Sequence, residues 1–186
     1  MITYKYRLYT TKKTHSIDTM LRECAYVWNH ALALQRRYYK MFKKFIPYVR
    51  MAKHFTKTYE RNLIHSQTLQ EILERQDNAF QRFFKHLSKR PPKFRKNEDF
   101  TTLVFKGKGG YSLSGNIFKI NRLNKTYKFS LSRPYEGNVK TLSVKRTPMG
   151  EYYIVIVTDA NTKHYRKTHD GASVGVDFGL KTYMTL

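Results

Sequence analysis

The sequence has one cysteine, few acidic residues and no long apolar run, and each shortage excludes a class of protein. Cys24 is the single cysteine, so an internal disulfide and a cysteine-rich zinc cage are both excluded. No stretch approaches the ~18 apolar residues that a membrane span requires. The N-terminal residues alternate in polarity and lack the apolar core of a secretory signal. We therefore expect an intracellular protein with no membrane partner and no zinc.

Acidic residues are far outnumbered by basic ones. The chain has 13 Asp and Glu against 36 Lys and Arg, which gives a formal net charge of +23. An excess of this size opposes compaction through self-repulsion, and it usually indicates a polyanionic partner. Surfaces that serve solubility alone mix the two signs. Aromatic residues make up 15% of the chain, and such side chains can stack on unpaired bases. The composition therefore favours nucleic-acid binding over a membrane surface or simple solvation.

Hydrophobic periodicity separates a helical region from strands. Residues 2–9 alternate with a period of two, which predicts a half-buried strand. Apolar residues then recur at helical spacing, which predicts helices over about 16–45, 48–59 and 69–87. We expect Ser16 to be the N-cap of the first helix and Arg90-Pro91-Pro92 to end the third. The region before these prolines is therefore predicted to be a small helical bundle.

After the prolines the hydrophobic period returns to two. Short strands are predicted over residues 100–105, 116–120, 127–131, 142–146 and 152–158. Several short, closely spaced strands indicate an antiparallel sheet or small barrel. The strand at 2–9 precedes the helices and has no local partner, so we expect it to join this barrel. The predicted fold class is α+β, an antiparallel β-barrel with an inserted helical bundle, followed by a polar linker at 161–170.

Aromatic residues of the helical region have two interpretations. Trp28, Phe80, Phe83 and Phe84 could form a platform for stacking on bases. Because they occur at helical spacing on apolar stripes, we predict instead that they pack in the core. Cys24 lies on the same kind of stripe and is predicted to be a small buried hydrophobe rather than a reactive thiol.

The stretch Gly175-Val176-Asp177-Phe178-Gly179 contains the one candidate catalytic residue. An ionised aspartate in an apolar strand has a large desolvation cost unless it meets a cation or strong donors. Nucleases of the RNase H-like class place such an aspartate in their first strand, where it binds Mg²⁺. A turn aspartate beside glycines is the alternative, and the short motif alone does not decide between the two.

Six motifs, in order along the chain, resemble those of TnpB, the transposon-encoded RNA-guided nuclease of the OrfB family. The first is YRLY at 6–9, with Thr10 where the family usually has proline. The others are YVWNHAL at 26–32, LQ at 69–70 with AFQRFF at 79–84, PKFRK at 92–96, VKR at 144–146 with GEYY at 150–153, and GVDFGLK at 175–181. The last resembles the RuvC-I motif. No single motif is specific, but their shared order and spacing are.

The resemblance implies a wedge β-barrel at 1–15 and 97–168, a helical recognition domain at 16–96 and the start of a RuvC nuclease domain at 169–186. It implies a guide RNA transcribed from the transposon end and a double-stranded target DNA with a short adjacent motif. It also implies a RuvC site of three carboxylates with Mg²⁺, of which only Asp177 is matched here. The host would be prokaryotic, with the protein cytoplasmic and nucleoid-associated.

Three residues of the helical region are candidates for contacting target DNA. Gln70 matches the recognition helix, and a glutamine amide can bond bidentately to an adenine edge. A surface glutamine is an equally good interpretation. Lys53 and Lys57 are four residues apart on the second predicted helix and could line a DNA channel. Taken singly, each is more often a merely solvated lysine.

Basic residues elsewhere are candidates for contacting phosphates. The densest basic run, 89–96, combines rigid prolines with an interleaved Phe94, which favours phosphate binding over a random charged loop. Its candidates are Arg90, Lys93, Arg95 and Lys96. Arg7, Lys145 and Arg146 are predicted on barrel strands, where the resemblance places the guide-RNA scaffold.

One carboxylate cannot hold two metal ions or both oxygens of an in-line displacement. We therefore expect that this chain alone does not cut DNA, and whether it is an enzyme stays open. Two alternatives remain at this point. A naturally shortened protein would bind RNA and DNA without cutting and act as a repressor. A generic basic RNA- or DNA-binding protein would carry the resemblance at its C-terminus by chance.

Overall fold

The computed structural model describes residues 1–58, 63–107 and 109–160. The first half contains β1 (Ile2–Arg7), α1 (His15–Phe42), α2 (Tyr48–Thr58) and α3 (Ser66–Phe84). The second half contains β2 (Thr102–Lys106), β3 (Tyr111–Ser114), β4 (Ile117–Ile120), β5 (Lys125–Lys128), β6 (Val139–Arg146) and β7 (Tyr152–Thr158). The predicted linker at 161–170 and the segment 169–186 lie outside the described residues.

The strands form two antiparallel sheets. The larger has the order β1-β7-β6-β2, and the smaller has the order β3-β4-β5. β1 pairs along its whole length with β7, from Ile2 opposite Thr158 to Arg7 opposite Tyr153. The prediction that the first strand joins strands that follow the helices is therefore confirmed. Alternation explains this pairing, because Tyr4 and Tyr6 turn inward and would be exposed on an isolated strand.

The end of β1 connects the two sheets. Leu8 bridges Phe129 in antiparallel fashion, and the Ser130 amide donates to the Arg7 carbonyl at 2.8 Å. The Tyr9 amide donates to the Lys128 carbonyl at 3.0 Å. Within the described residues, strand pairing does not close the two sheets into a barrel. The predicted barrel therefore stays a prediction.

A single buried cluster joins the helices to the sheets. Inward-facing strand residues such as Phe105, Ile154 and Ile156 pack in the same cluster as Trp28 of α1 and Leu69 of α3. Each of these five side chains is almost fully buried. Burial of a large apolar side chain contributes roughly 1.5–3 kcal/mol. The helices therefore depend on the sheet for part of their core.

The start of α1 differs from the sequence prediction. Thr14, not Ser16, is the N-cap, and it makes no side-chain capping bond. The Ser16 hydroxyl donates to the Lys13 carbonyl at 2.6 Å and lies 2.7 Å from the Tyr127 hydroxyl of β5. Ser16 therefore attaches the helix to the smaller sheet. The far end of α1 is closed by Lys43 in the left-handed region, with φ 52°, two residues before the predicted end.

The end of α3 was also predicted wrongly. The helix ends at Phe84, well before the prolines that were expected to stop it. The His86 amide donates to the Phe83 carbonyl at 3.0 Å and the Leu87 amide to the Arg82 carbonyl at 2.9 Å. With His86 at φ 57°, these bonds form a Schellman motif. α3 therefore ends six residues before Arg90, and Phe84 lies in its last turn.

Candidate nucleic-acid interface

The structure brings three predicted DNA-contacting residues into one shallow groove. Lys53 and Lys57 of α2 line it together with Gln70 of α3, and its volume is about 360 Å³. Met51 and Phe55 fill the buried face of α2, so the two lysines, four residues apart, necessarily share the opposite face. We call this surface, between the exposed sides of α2 and α3, the lysine groove.

The chemistry of the lysine groove suits a nucleic-acid backbone. Within the described residues neither Lys53 nor Lys57 is in an ion pair, and both side chains are exposed. Gln70 is exposed in the second turn of α3, with its amide unburied. Two unpaired ammonium groups can neutralise phosphates, and an adjacent amide can read a base edge.

The basic run at 89–96, which we call the proline segment, is fastened to α1 by its backbone. Trp28 Nε1 donates to the Lys93 carbonyl at 3.1 Å. Asn29 is bidentate, because its Nδ2 donates to the Arg95 carbonyl at 2.9 Å and its Oδ1 accepts from the Arg95 amide at 3.0 Å. The backbone is therefore fixed while the side chains of Arg90, Lys93 and Lys96 remain exposed.

Arg95 is placed differently from the other cations of the proline segment. Its guanidinium lies 4.3 Å from the Trp28 ring centroid and 5.6 Å from that of Phe100. The residue is half-buried, and Trp28 and Phe100 contact each other edge-on at 6.1 Å. A guanidinium over aromatic faces is attracted by the ring quadrupoles. Arg95 therefore helps to pack the segment onto α1, and a phosphate contact from it stays a prediction.

The three candidates on the strands do not share one face. Arg7 lies opposite Tyr153, and Tyr153 lies opposite Lys145, so these three form a row across the outer face of the larger sheet. Arg7 Nη2 donates to Glu151 Oε1 at 2.6 Å, and the Tyr153 hydroxyl donates to Glu151 Oε2 at 2.9 Å. Glu151 therefore neutralises Arg7, and Lys145 is the exposed cation of the row that has no ion pair within the described residues.

Arg146 lies on the other side of the strand from Lys145, because successive strand residues alternate. Its Nε is 3.4 Å from Asp18 Oδ1, and the Tyr152 hydroxyl donates to the same oxygen at 2.5 Å. Burial raises the pKa of Tyr152 well above its usual value, and the hydrogen bond to Asp18 raises it further. Arg7, Lys145 and Arg146 all lie on strands, as predicted, but Arg146 is not part of the outer row. Asp18, Tyr152 and Arg146 join α1 to the sheet, and a guide-RNA contact from Arg146 stays a prediction.

The aromatic prediction was correct for two residues and wrong for another. Trp28 and Phe80 are buried, as expected. Phe83 is half-buried, and Phe84 is 48% exposed. Cys24 is buried as predicted, and burial raises the pKa of its thiol well above the usual value. Asn29, which anchors the proline segment, was not recognised from the sequence because its partner is 66 residues away.

The predicted metal ligand Asp177 lies outside the described residues. Within residues 1–58, 63–107 and 109–160, no three His, Cys, Asp or Glu side chains are grouped to hold a metal ion. In the same part of the chain no helix has the length and apolar character needed to cross a membrane. The chemistry that this part of the molecule displays is therefore that of cations, amides and aromatic rings on a mixed α+β scaffold.

Comparison with known proteins identifies the class of protein to which this α+β scaffold is similar. The family model HTH_OrfB_IS605, described as a helix-turn-helix domain, matches residues 1–44. In the structure this segment holds β1, a short 3₁₀ turn and the single long helix α1. The chain is also 30% identical over 171 residues to the "Putative RNA-guided DNA endonuclease InsQ" of Escherichia coli (strain K12).

The match to that relative covers 88% of this chain but 41% of the relative. The chain therefore spans about two-fifths of the length of the curated protein it matches. The two comparisons agree with each other and with the ordered motifs of the sequence. Both comparisons support a TnpB-type protein of the OrfB family.

Proposed function

We propose that this chain is the guide-RNA- and target-DNA-binding part of a transposon-associated, RNA-guided DNA endonuclease of the TnpB type. The observation that carries the proposal is the lysine groove, in which Lys53, Lys57 and Gln70 converge from two helices. The net charge of +23 and the fixed backbone of the proline segment support it. In RNA-guided recognition base pairing reads most of the sequence, while the protein holds the backbone and a short motif.

In this proposal residues 1–15 and 97–168 form the wedge domain and residues 16–96 the recognition domain. The pairing of β1 with β7 supports this arrangement, because it makes the helices an insertion between paired strands. The lysine groove faces target DNA, with Gln70 reading the motif adjacent to the target. The outer row of the larger sheet, with Lys145 as its unpaired cation, faces the guide RNA.

Residues 169–186 begin a RuvC domain in this proposal, and Asp177 is one carboxylate ligand of Mg²⁺. Hydrolysis by this class of site needs several carboxylates around the metal, and one cannot provide them. The chain alone is therefore inactive as a nuclease. Metal-dependent cleavage of DNA by the purified chain that disappears in Asp177→Ala would overturn this part.

The lysine groove is tested by comparing two double variants that remove the same charge. Lys53→Ala/Lys57→Ala removes two cations of the groove, and Lys125→Ala/Lys128→Ala removes two exposed lysines of β5. Binding of duplex DNA is measured from low to high salt. Each lost phosphate contact should lower the slope of log K against log salt by about 1. We expect a decrease in the first variant and little change in the second; equal effects would reject the groove as the DNA site.

The role of Gln70 is tested by the sequence preference of binding. Gln70→Ala should reduce discrimination among DNA duplexes that differ in the motif adjacent to the target. A lost bidentate contact typically reduces discrimination by about 1–3 kcal/mol. Gln67→Ala, a half-buried glutamine at the start of the same helix, is the matched control. If Gln70→Ala lowers affinity for all duplexes alike, Gln70 does not read bases.

A further inference from the structure

A second groove lies where the end of α1, the end of α3 and the proline segment meet. Its volume is about 450 Å³, which is within the range of roughly 300–1,000 Å³ typical of sites for small ligands. Tyr39 lines it from α1, Phe84 from α3, and Pro91 and Pro92 from the proline segment. We call it the aromatic groove. None of its residues belongs to the lysine groove.

The aromatic wall of this groove is held rigidly but is not covered. Phe45 contacts Phe84 edge-to-face, with ring centroids 5.2 Å apart, and contacts Phe80 at 5.0 Å. Phe80 is buried, so it anchors the other two rings to the core. Phe84 is nevertheless 48% exposed and Tyr39 is 57% exposed. The chain therefore presents two aromatic surfaces to solvent in one concave site, of which Phe84 is held by neighbouring rings, and it leaves apolar area in water.

The rim of the aromatic groove is cationic. Arg36, Lys40 and Lys43 line it, and no lining residue is acidic. Within the described residues none of these three cations is in an ion pair. Arg36 lies over the Phe94 ring at 4.7 Å and Lys43 Nζ lies 5.9 Å from the Tyr39 centroid, so both are held close to aromatic surfaces. Charge complementarity therefore requires an anionic occupant.

An unsatisfied amide borders the same groove. Gln35 is 3% exposed, and neither its Nε2 nor its Oε1 has a hydrogen-bond partner within the described residues. Buried side-chain amides are normally paired, because leaving one unpaired costs roughly 1–3 kcal/mol. An occupant with both donors and acceptors on a planar edge would complement this amide.

Aromatic faces, free cations and a planar donor–acceptor amide together match an unpaired nucleotide. A base inside a duplex has both faces covered by its neighbours, so exposed rings contribute binding energy only when the base is unstacked. A second copy of the chain would bring another +23 of charge against the cationic rim. We propose that the aromatic groove binds one unpaired nucleotide of a single-stranded nucleic acid, with the base against Phe84 and Tyr39 and the phosphate on Lys40 and Lys43.

This proposal rests on nucleic-acid binding as the proposed function, and it adds a site with a different ligand preference from the lysine groove. The test compares two single-stranded probes of equal length and charge, an oligothymidylate and an abasic sugar-phosphate oligomer. The native chain should bind the oligothymidylate more tightly, because only that probe can stack. Stacking on one aromatic residue typically changes affinity by roughly 5- to 150-fold per base.

Phe84→Ala and the conservative Phe84→Leu should both abolish most of that preference, while abasic binding stays unchanged. Because the readout is a ratio of two affinities, partial loss of folding cannot imitate it. Phe42→Ala is the matched control, since Phe42 is 53% exposed on α1 and does not line the groove. The Phe42→Ala variant should prefer the oligothymidylate over the abasic oligomer as strongly as the native chain does. Retention of the full preference in both Phe84 variants would overturn the proposal.

Two further outcomes separate this proposal from the others. If Phe84→Leu loses the single-strand preference but keeps duplex affinity, while Lys53→Ala/Lys57→Ala does the reverse, the two grooves act independently as proposed. If the native chain has no preference for bases yet binds duplex DNA through the lysine groove, the aromatic groove proposal fails and the proposed function stands. If Phe84→Leu instead weakens only binding of an acidic apolar peptide, the groove belongs to a protein partner and the proposal is overturned.

Discussion

The cations of the strands and those of the helical region are used in different ways. Four of the five ion pairs within the described residues have their cation on a strand: Arg7, Lys106, Lys140 and Arg146. The fifth joins Arg75 to Glu71 within one face of α3. By contrast, the cations of the lysine groove, the aromatic groove and the exposed part of the proline segment have no acidic partner there. Within the described residues, acidic partners are therefore found for several strand cations but for none of the cations in the two grooves.

This difference between paired and unpaired cations indicates where a polyanion would bind most strongly. An exposed ion pair contributes only about 0–1 kcal/mol to stability, but it removes the net charge that attracts phosphate. A lysine without a partner keeps its full attraction and releases counterions when phosphate binds. In our proposal the helical region is accordingly the main surface for target DNA, while the larger sheet offers the guide RNA an unpaired cation, Lys145. Changes in the two regions should then have different consequences.

The largest expected effect is on the joint that holds the proline segment. Trp28→Ala removes a buried ring, its hydrogen bond to the Lys93 carbonyl and the surface on which Arg95 rests. We expect the free energy of unfolding to fall by about 3–5 kcal/mol, as for other buried aromatic deletions. Urea unfolding measures it. Trp28→Phe keeps a ring and loses the Nε1 donor, so it should lower the free energy of unfolding by less than Trp28→Ala. Equal decreases in the two variants would mean that the ring surface contributes little.

The next effect concerns the joint between α1 and the larger sheet. Asp18→Ala leaves the Tyr152 hydroxyl without its hydrogen-bond acceptor and the Arg146 guanidinium without its ion-pair partner. Loss of one partner of a partly buried polar group typically costs about 1–3 kcal/mol. We expect urea unfolding to show a decrease of this size in the free energy of unfolding. The salt dependence of nucleic-acid binding should not change. A changed salt slope would contradict the structural role assigned here to Arg146.

Two double variants that compare the two regions should change the free energy of unfolding less than the variants above. They should differ clearly in the salt dependence of nucleic-acid binding. Lys93→Ala/Lys96→Ala removes two exposed cations of the proline segment, and Lys106→Ala/Lys140→Ala removes two cations paired with Glu74 and Asp159. Both variants lose the same charge. The first should lower the salt slope of nucleic-acid binding by about 1 per lysine, and the second should leave it nearly unchanged. Equal decreases of the salt slope in the two variants would show that paired and unpaired cations contribute alike to binding.

Sequence reasoning was strongest where a feature depends on local periodicity. The alternation of residues 2–9 predicted β1, and the four-residue spacing of Lys53 and Lys57 predicted their shared face. It failed where a feature depends on partners distant in the chain. The bidentate contact of Asn29 with Arg95 spans 66 residues, and nothing near Asn29 indicates it.

Three errors have separate physical causes. The end of α3 was missed because His86 takes a left-handed conformation that usually belongs to glycine, so the prolines seemed to be the first helix-stopping signal. Phe84 was separately placed in the core because it falls at helical spacing on an apolar stripe, although it is 48% exposed. Strand β3 was missed because its four residues lie close to glycines and are too few to show a period.

The smallest expected effect compares one carboxylate from each region. Burial raises the pKa of Asp77 in α3, whereas hydrogen bonds from Asn138 lower the pKa of Asp159 beside β7. Ionised Asp77 therefore opposes folding, and Asp77→Asn should be more stable than the native chain at pH 7 by about a few tenths of a kcal/mol, since the group is partly solvated. That advantage should shrink as the pH falls through the raised pKa and vanish below the unfolded-state value of about 3.9.

Asp159→Asn should behave oppositely. It loses stability at pH 7, and the loss disappears as the pH falls from about 3.9 through the lowered folded-state pKa. Urea unfolding of both variants between pH 3 and pH 7 gives the two curves. The two stability changes should have opposite signs because the two carboxylates have different surroundings. Asp159 has hydrogen-bond donors and Lys140 beside it, whereas Asp77 is desolvated among helices. Curves of the same sign would show that the acidic residues of the two regions are not used differently.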